Sequence, residues 1–237
     1  MIQQLVLLLV VAWTIVTHAG TENRSVLVFG GTQFMGRLFA SSLLDWNKKT
    51  DSTYHYNITL LTRGYSTDPF VKEESVKHIL CDRLERKLCL KHLLSADIQW
   101  HFVVDFTGFH PLQIDDLRLG LRRRGTDGTE HLAVDHYVYI SSDSVYMATE
   151  LPRHDGPLRE QDDAMGDEAY SDTLRQRHPY QFNYGDLKRQ CEERVRQVQV
   201  LELETGASAG VSNLTLPYTI LRLPDVFGPF DDTSRYW

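Results

Sequence analysis

The chain has 237 residues, 32 acidic and 25 basic side chains and a net charge of −7. With 42% hydrophobic and 24% charged residues it is composed like an ordinary globular protein, which excludes disorder, collagen-like repetition and a multi-span membrane protein. The negative balance has the wrong sign for a basic nucleic-acid binder, so no nucleic-acid partner is expected.

Residues 1–19 contain no Asp, Glu, Lys or Arg, and 5–16 are almost unbroken apolar sequence. That run is short for a bilayer span of roughly 20 residues. It is followed by Thr17-His18-Ala19, with small residues where signal peptidase reads, so residues 1–19 are expected to be a signal peptide cleaved after Ala19. The alternatives are an uncleaved anchor, which would attach the protein to a membrane in type II orientation, and a buried first element. Sequons at Asn23, Asn57 and Asn213 agree with a glycoprotein of the ER or Golgi lumen or the extracellular space. The three cysteines Cys81, Cys89 and Cys191 form no CxxC and no even set. A disulfide-built scaffold and a zinc site from paired Cys are therefore excluded, and at least one thiol is free or pairs with another chain.

Strand 25–29 (SVLVF) runs directly into Gly30-Gly31-Thr32, and from Phe34 the apolar residues recur at helical spacing. Residues 57–62 read as a second strand ending at Arg63-Gly64, and 76–80 as a short third strand ending at Cys81-Asp82. A helix is expected over 84–94, a buried strand over 102–106, a helix over 112–124 and a strand over 137–141. Residues 151–179 are polar, acidic and dotted with Gly and Pro, and read as an irregular excursion. A helix over 184–203 carries Leu187, Cys191, Val195 and Val198 on one side, with Cys191 in the core, and 218–222 form a last strand. Arg122-Arg123-Arg124 reads as a solvated helix end. Strands and helices alternating at this pitch give an α/β class: a doubly wound parallel sheet, the Rossmann fold, with helices on both faces over 24–237.

Gly30-Gly31-Thr32-Gln33-Phe34-Met35-Gly36 lies between a strand and a helix, where glycines let a pyrophosphate approach the backbone and the helix amino terminus attracts it. A nicotinamide cofactor, NADP or NAD, is expected there. Arg63 after the second strand suits a 2′-phosphate, which favours NADP over NAD. Tyr184 and Lys188 stand four apart on one helix face, where the ammonium favours the phenolate and makes Tyr184 a usable acid/base. The same Lys188 can hold the nicotinamide ribose. Ser142 lies at the carboxyl end of a strand, the end at which parallel sheets bind ligands, and can hold a substrate oxygen. His154, Asp155 and His178 have no metal-ligand spacing, and no metal is expected.

These segments, VLVFGGTQFMGR, LLTRG, CDR, VVDF, YVYISSDSVY, NYGDLKRQCE and LRLPDVFGPFDDTSRYW, occur in one order and resemble the extended short-chain dehydrogenases/reductases of the NAD-dependent epimerase/dehydratase family. They are most similar to the atypical branch that includes the chloroplast stem-loop-binding proteins. The resemblance implies that Gly30, Gly31, Thr32, Phe34, Met35 and Gly36 form the phosphate turn. It places Arg63 at the adenosine ribose, Asp82 at adenine, and Ser142, Tyr184 and Lys188 in catalysis. It implies an oxidoreductase on a small molecule, a nucleotide sugar, with an inert cofactor-binding scaffold or an RNA-binding relative as alternatives and a homodimer left open. Gln33 replaces the family's middle glycine. The family continues past the 222–237 segment with a helical substrate region, so that subdomain is expected to be largely absent here.

Overall fold

The computed structural model describes residues 22–50, 52–64, 69–70, 72–147, 175–197, 216–226 and 228–231. The leader, the sequon at Asn213, most of the 151–179 excursion and residues 232–237 lie outside them. The described elements are β1 (Glu22–Phe29), α1 (Phe34–Asn47), β2 (Tyr54–Thr62), β3 (Val76–Leu80), α2 (Arg86–Ser95), β4 (Trp100–Asp105), α3 (Pro111–Leu121), β5 (Arg122–Arg124), β6 (Glu130–Leu132) and β7 (Val134–Ser142). A 3-10 turn (Asp143–Met147), α4 (Pro179–Arg196) and β8 (Tyr218–Leu223) follow.

Six strands form one sheet in the order β3-β2-β1-β4-β7-β8, and every pairing in it is parallel. Side chains alternate across a strand, so β1 serves two cores. Leu27 and Phe29 pack with Cys89 and Leu93 of α2, Ile114 and Leu117 of α3, and Cys191 and Val195 of α4. Val26 and Val28 pack on the other face with Phe39, Ala40 and Leu43 of α1. The doubly wound Rossmann architecture follows from this two-sided apolar pattern. No described helix is long and apolar enough to cross a membrane.

Two expectations need correction. The third helix stops at Leu121, and Arg122–Arg124 pair antiparallel with Glu130–Leu132 as a small second sheet. Its arginines are not simply solvated: Arg122 bonds Glu130, while Arg123 donates to the carbonyls of Leu93 and Ala96 at the end of α2. Positive side chains at a helix carboxyl terminus satisfy its orphan carbonyls. The helix expected over 184–203 instead spans Pro179–Arg196; proline suits the first helical turn because its missing N–H is not needed there. Cys81 and Cys89 are joined in a disulfide and Cys191 is the buried free thiol, in keeping with the expected unpaired cysteine and its place in the core. Burial pushes the Cys191 thiol up to about 11, so it is a core residue and not a nucleophile.

At the end of β4 the carboxylate of Asp105, fully buried, accepts from Arg83 at 2.8 and 2.9 Å, from the Tyr137 hydroxyl at 3.0 Å and from the Thr107 amide at 2.9 Å. Arg83 also donates to the Gln113 carbonyl at 3.0 Å. The loop after β3 is thereby strapped to the loop after β4, on either side of the carboxyl end of β1. A buried carboxylate with this many donors is compensated, whereas one stripped of Arg83 would not be.

Candidate active site

The strand order makes β1 and β4 neighbours although the chain leaves β1 toward β2 and β3 first. Their carboxyl ends are thus a topological switch point, where open α/β sheets bind ligands. The candidate residues occupy this edge. Asp82 follows β3, Arg63 follows β2, Gly30 follows β1, Ser142 ends β7 and Asp225 follows β8.

At β1 the backbone turns sharply at Gly30, whose φ of +80° is the left-handed region that suits glycine. Gly36 lies against the Gly30 carbonyl so closely that a Cβ there would strike it, which brings the start of α1 onto the strand end. Gln33 is the N-cap of α1 with φ −128°, an extended conformation open to any residue, so the turn does not need the family's middle glycine. Phe34 instead carries the second left-handed torsion, φ 40°, unusual for a bulky side chain and a mark of functional loops. No side chain caps this helix amino terminus and no acidic residue lies in its first turn. Its N–H groups and dipole therefore suit an external anion, so the turn fits a dinucleotide pyrophosphate. Thr32 is buried in the turn, while Arg63 is exposed beside Gly64. Asp82 accepts the Leu84 amide at 2.9 Å, and the disulfide from Cys81 to Cys89 holds its loop to α2.

At the other half, α4 approaches β7 through Gly185, where a Cβ would collide with the Ser144 carbonyl. The buried face of α4 carries three charged residues, Lys188, Arg189 and Glu192. Glu192 is fully buried and accepts from Ser141 at 2.6 Å, from Arg196 at 2.8 Å and from Arg222 at 2.6 Å. One carboxylate thus joins α4 to β7 and β8. A cleft of about 290 Å³ opens beside this junction, lined by Phe34 and Met35 from the nucleotide turn, Ser142 and Ser144, Tyr184, and Asp225. Ser142 Oγ lies 3.1 Å from Ser144 Oγ and 3.3 Å from Asp143 Oδ1. Burial raises the Asp143 carboxyl above the usual range, and the Asp225 charge adds to this against the lowering bond from Ser142. Among the described residues no cluster could hold a metal ion.

Tyr184 is 38% exposed at the cleft, but Lys188, one turn on, is only 2% exposed. The Lys188 ammonium donates to the carbonyls of Ile140 at 2.8 Å and Gly108 at 3.0 Å. The rings of Phe109, Tyr139 and Tyr184 surround it at 4.7, 4.9 and 5.9 Å. Sequence reasoning put the pair on one helix face but not the second residue behind the wall. It also missed Arg83, Phe109 and Glu192; only VVDF, with an acid ending an apolar strand, signalled a buried carboxylate.

Burial lowers Lys188 from 10.5 to about 8, with the Asp105 charge opposing it. Between these values the unfolded chain binds a proton that the folded one has released. Stability from this group is therefore fully present above about pH 10.5 and is lost as pH falls through about 8. Urea unfolding should show the wild type gaining on the order of 3 kcal/mol relative to Lys188→Met between neutral pH and pH 10.5. A pH-independent difference would contradict this burial.

No protein-family model and no curated protein sequence matches the chain. Solved structures do. A dTDP-glucose 4,6-dehydratase from Bacillus anthracis in complex with NAD aligns with a TM-score of 0.50 at 15% identity, covering 87% of this chain and 56% of that one. A UDP-glucuronic acid 4-epimerase from Bacillus cereus in complex with NAD gives 0.49 at 17% over 87% of this chain and 58% of that one. A short-chain dehydrogenase/reductase from Veillonella parvula gives 0.49 at 14% over 84% and 68%. At such identities the likeness is one of fold alone: this chain shares the Rossmann-like sheet of the dehydratase.

Proposed function

We propose that the protein is an NAD(P)-dependent oxidoreductase of the epimerase/dehydratase type acting on a nucleotide sugar in the lumen of the secretory pathway. The observation that carries this reading is that Phe34 and Met35 of the nucleotide turn line the same cleft as Ser142 and Tyr184. A group held by the turn and a substrate held by Ser142 would therefore meet in front of the Tyr184 phenol. The nicotinamide, when bound, supplies a hydride acceptor and donor. Tyr184 Oη takes the proton of the substrate hydroxyl and returns it, Ser142 Oγ holds that substrate oxygen, and the nearby Lys188 charge favours the phenolate. Sugar-nucleotide substrates are named for the fold neighbours from Bacillus, which supports this substrate class without fixing it.

The lumenal assignment draws on the uncharged leader and on the Cys81–Cys89 bond, since disulfides persist in oxidising compartments. Asn23 and Asn57 are exposed on the neighbouring strands β1 and β2, toward the amino-terminal edge of the sheet and opposite the cleft. Glycans at both would leave the cleft open. A second reading, an inert cofactor-binding scaffold, is favoured by one observation: both carbonyl bonds of Lys188 are spent inside the protein.

Two measurements test the proposal. At a hundredfold excess over Kd, NADP should raise the melting temperature by roughly 5–10 °C. Arg63→Ala should erase the advantage of NADP over NAD while leaving the NAD shift, and the absence of a shift with either nucleotide would overturn the enzyme reading. Expression in a secretory cell should yield protein whose gel mobility rises on glycosidase treatment, with a smaller change for Asn57→Gln. Unglycosylated protein retained in the cytosol would refute the lumenal assignment.

A further inference from the structure

We propose that Phe109 is a side-chain gate over Lys188, whose half-exposed ring covers the buried ammonium beside Tyr184 and must rotate away before an oxygen of a bound ligand can reach that ammonium. The proposal rests on reading the cleft as a nicotinamide-nucleotide site, because that reading asks Lys188 to meet a ligand. As folded, Lys188 cannot do so: it is 2% exposed and enclosed by rings.

The three rings around the ammonium differ in how firmly they are held. Tyr139 is fully buried, and its hydroxyl donates to the Gly108 carbonyl at 2.8 Å, so its ring is fixed in the core. Tyr184 lines the cleft itself. Phe109 is 47% exposed, and its ring lies 6.3 Å from that of Tyr184 at a tilt of 44°. An aromatic pair and a cation–π contact hold such a ring weakly compared with core packing.

The backbone around Phe109 is pinned. The Gly108 carbonyl accepts both Tyr139 Oη and Lys188 Nζ. The amides of Phe109 and His110 donate to Gln113 Oε1 at 2.9 and 3.2 Å, within the capping box that starts α3. Loop movement would break this whole set, whereas rotation about the Phe109 side-chain bonds breaks none of it. The moving part is the ring alone. An ammonium has three donors; two hold Ile140 and Gly108, and the third remains for the oxygen that enters when the ring leaves.

The test is competitive acetylation of the protein without nucleotide, read lysine by lysine by peptide mass spectrometry. Burial holds Lys188 near 8, so at mildly alkaline pH its amine is largely uncharged and reacts once reached. In the wild type Lys188 should label far more slowly than exposed Lys48 and Lys49. Phe109→Ala should raise its labelling about tenfold, with Lys48 and Lys49 unchanged. Phe109→Leu, which keeps an apolar cover, should fall between and serves if the alanine variant is not folded. Unchanged Lys188 labelling in a folded variant, or wild-type labelling as fast as that of Lys48, would overturn the gate. Because no nucleotide is present, a null NADP titration would defeat the functional reading without touching this result.

Discussion

The candidate active site depends on how closely α4 is held to the carboxyl end of β7. Gly185 lets the helix backbone come down onto the Ser144 carbonyl, and any larger residue would have to push the two apart. Glu192, two turns further along, holds that approach by accepting Ser141 from β7 and Arg222 from β8 at once. Steric permission at one point and a buried ionic tie at another fix the helix in height and rotation. Tyr184 consequently faces the cleft beside Ser142, and Lys188 turns inward.

This attachment adds buried charges to the apolar contacts of Phe182, Cys191 and Val195. Lys188, Arg189 and Glu192 are all buried on α4. Burying charges costs free energy unless each is matched, and here each finds partners: carbonyls for Lys188, Asp186 and Glu193 for Arg189, and two arginines with a serine for Glu192. Directional bonds locate a helix more narrowly than interchangeable methyl groups do, which suits the helix that carries the candidate Tyr184. The nucleotide half uses the same device on a smaller scale, with Asp105 and Arg83 strapping two loops across the end of β1.

Much of the architecture was legible because strand faces and glycine turns are local signals. The 76–80 strand and the GGTQFMG turn needed only periodicity and the strand–turn–helix context. The elements that were misread carry no periodic signal of their own or depend on charged partners. Arg122–Arg124 looked like a helix end because a three-residue strand has no period of its own; the Asp127-Gly128 turn, with Gly128 at φ +82°, was the available hairpin signal. The Cys81–Cys89 bond spans eight residues and joins the loop after β3 to α2. The apolar stripe assigned to α4 found Cys191 and Val195 but not the buried charges, since hydrophobic periodicity cannot see a charged residue whose partner lies thirty positions away at Arg222. Likewise the spacing of Tyr184 and Lys188 gave a shared face without telling which of the two meets solvent.

The central claim is that the edge formed by β1, β7 and α4 brings a nicotinamide and a catalytic phenol together. An experimental structure of the complex with NADP tests it most directly. The account predicts the pyrophosphate at the amino terminus of α1 and the nicotinamide in the cleft against Tyr184, with the Phe109 ring displaced from Lys188. A nucleotide bound away from Gly30 and Gly36, or one whose nicotinamide lies outside the Ser142–Tyr184 cleft, would contradict it.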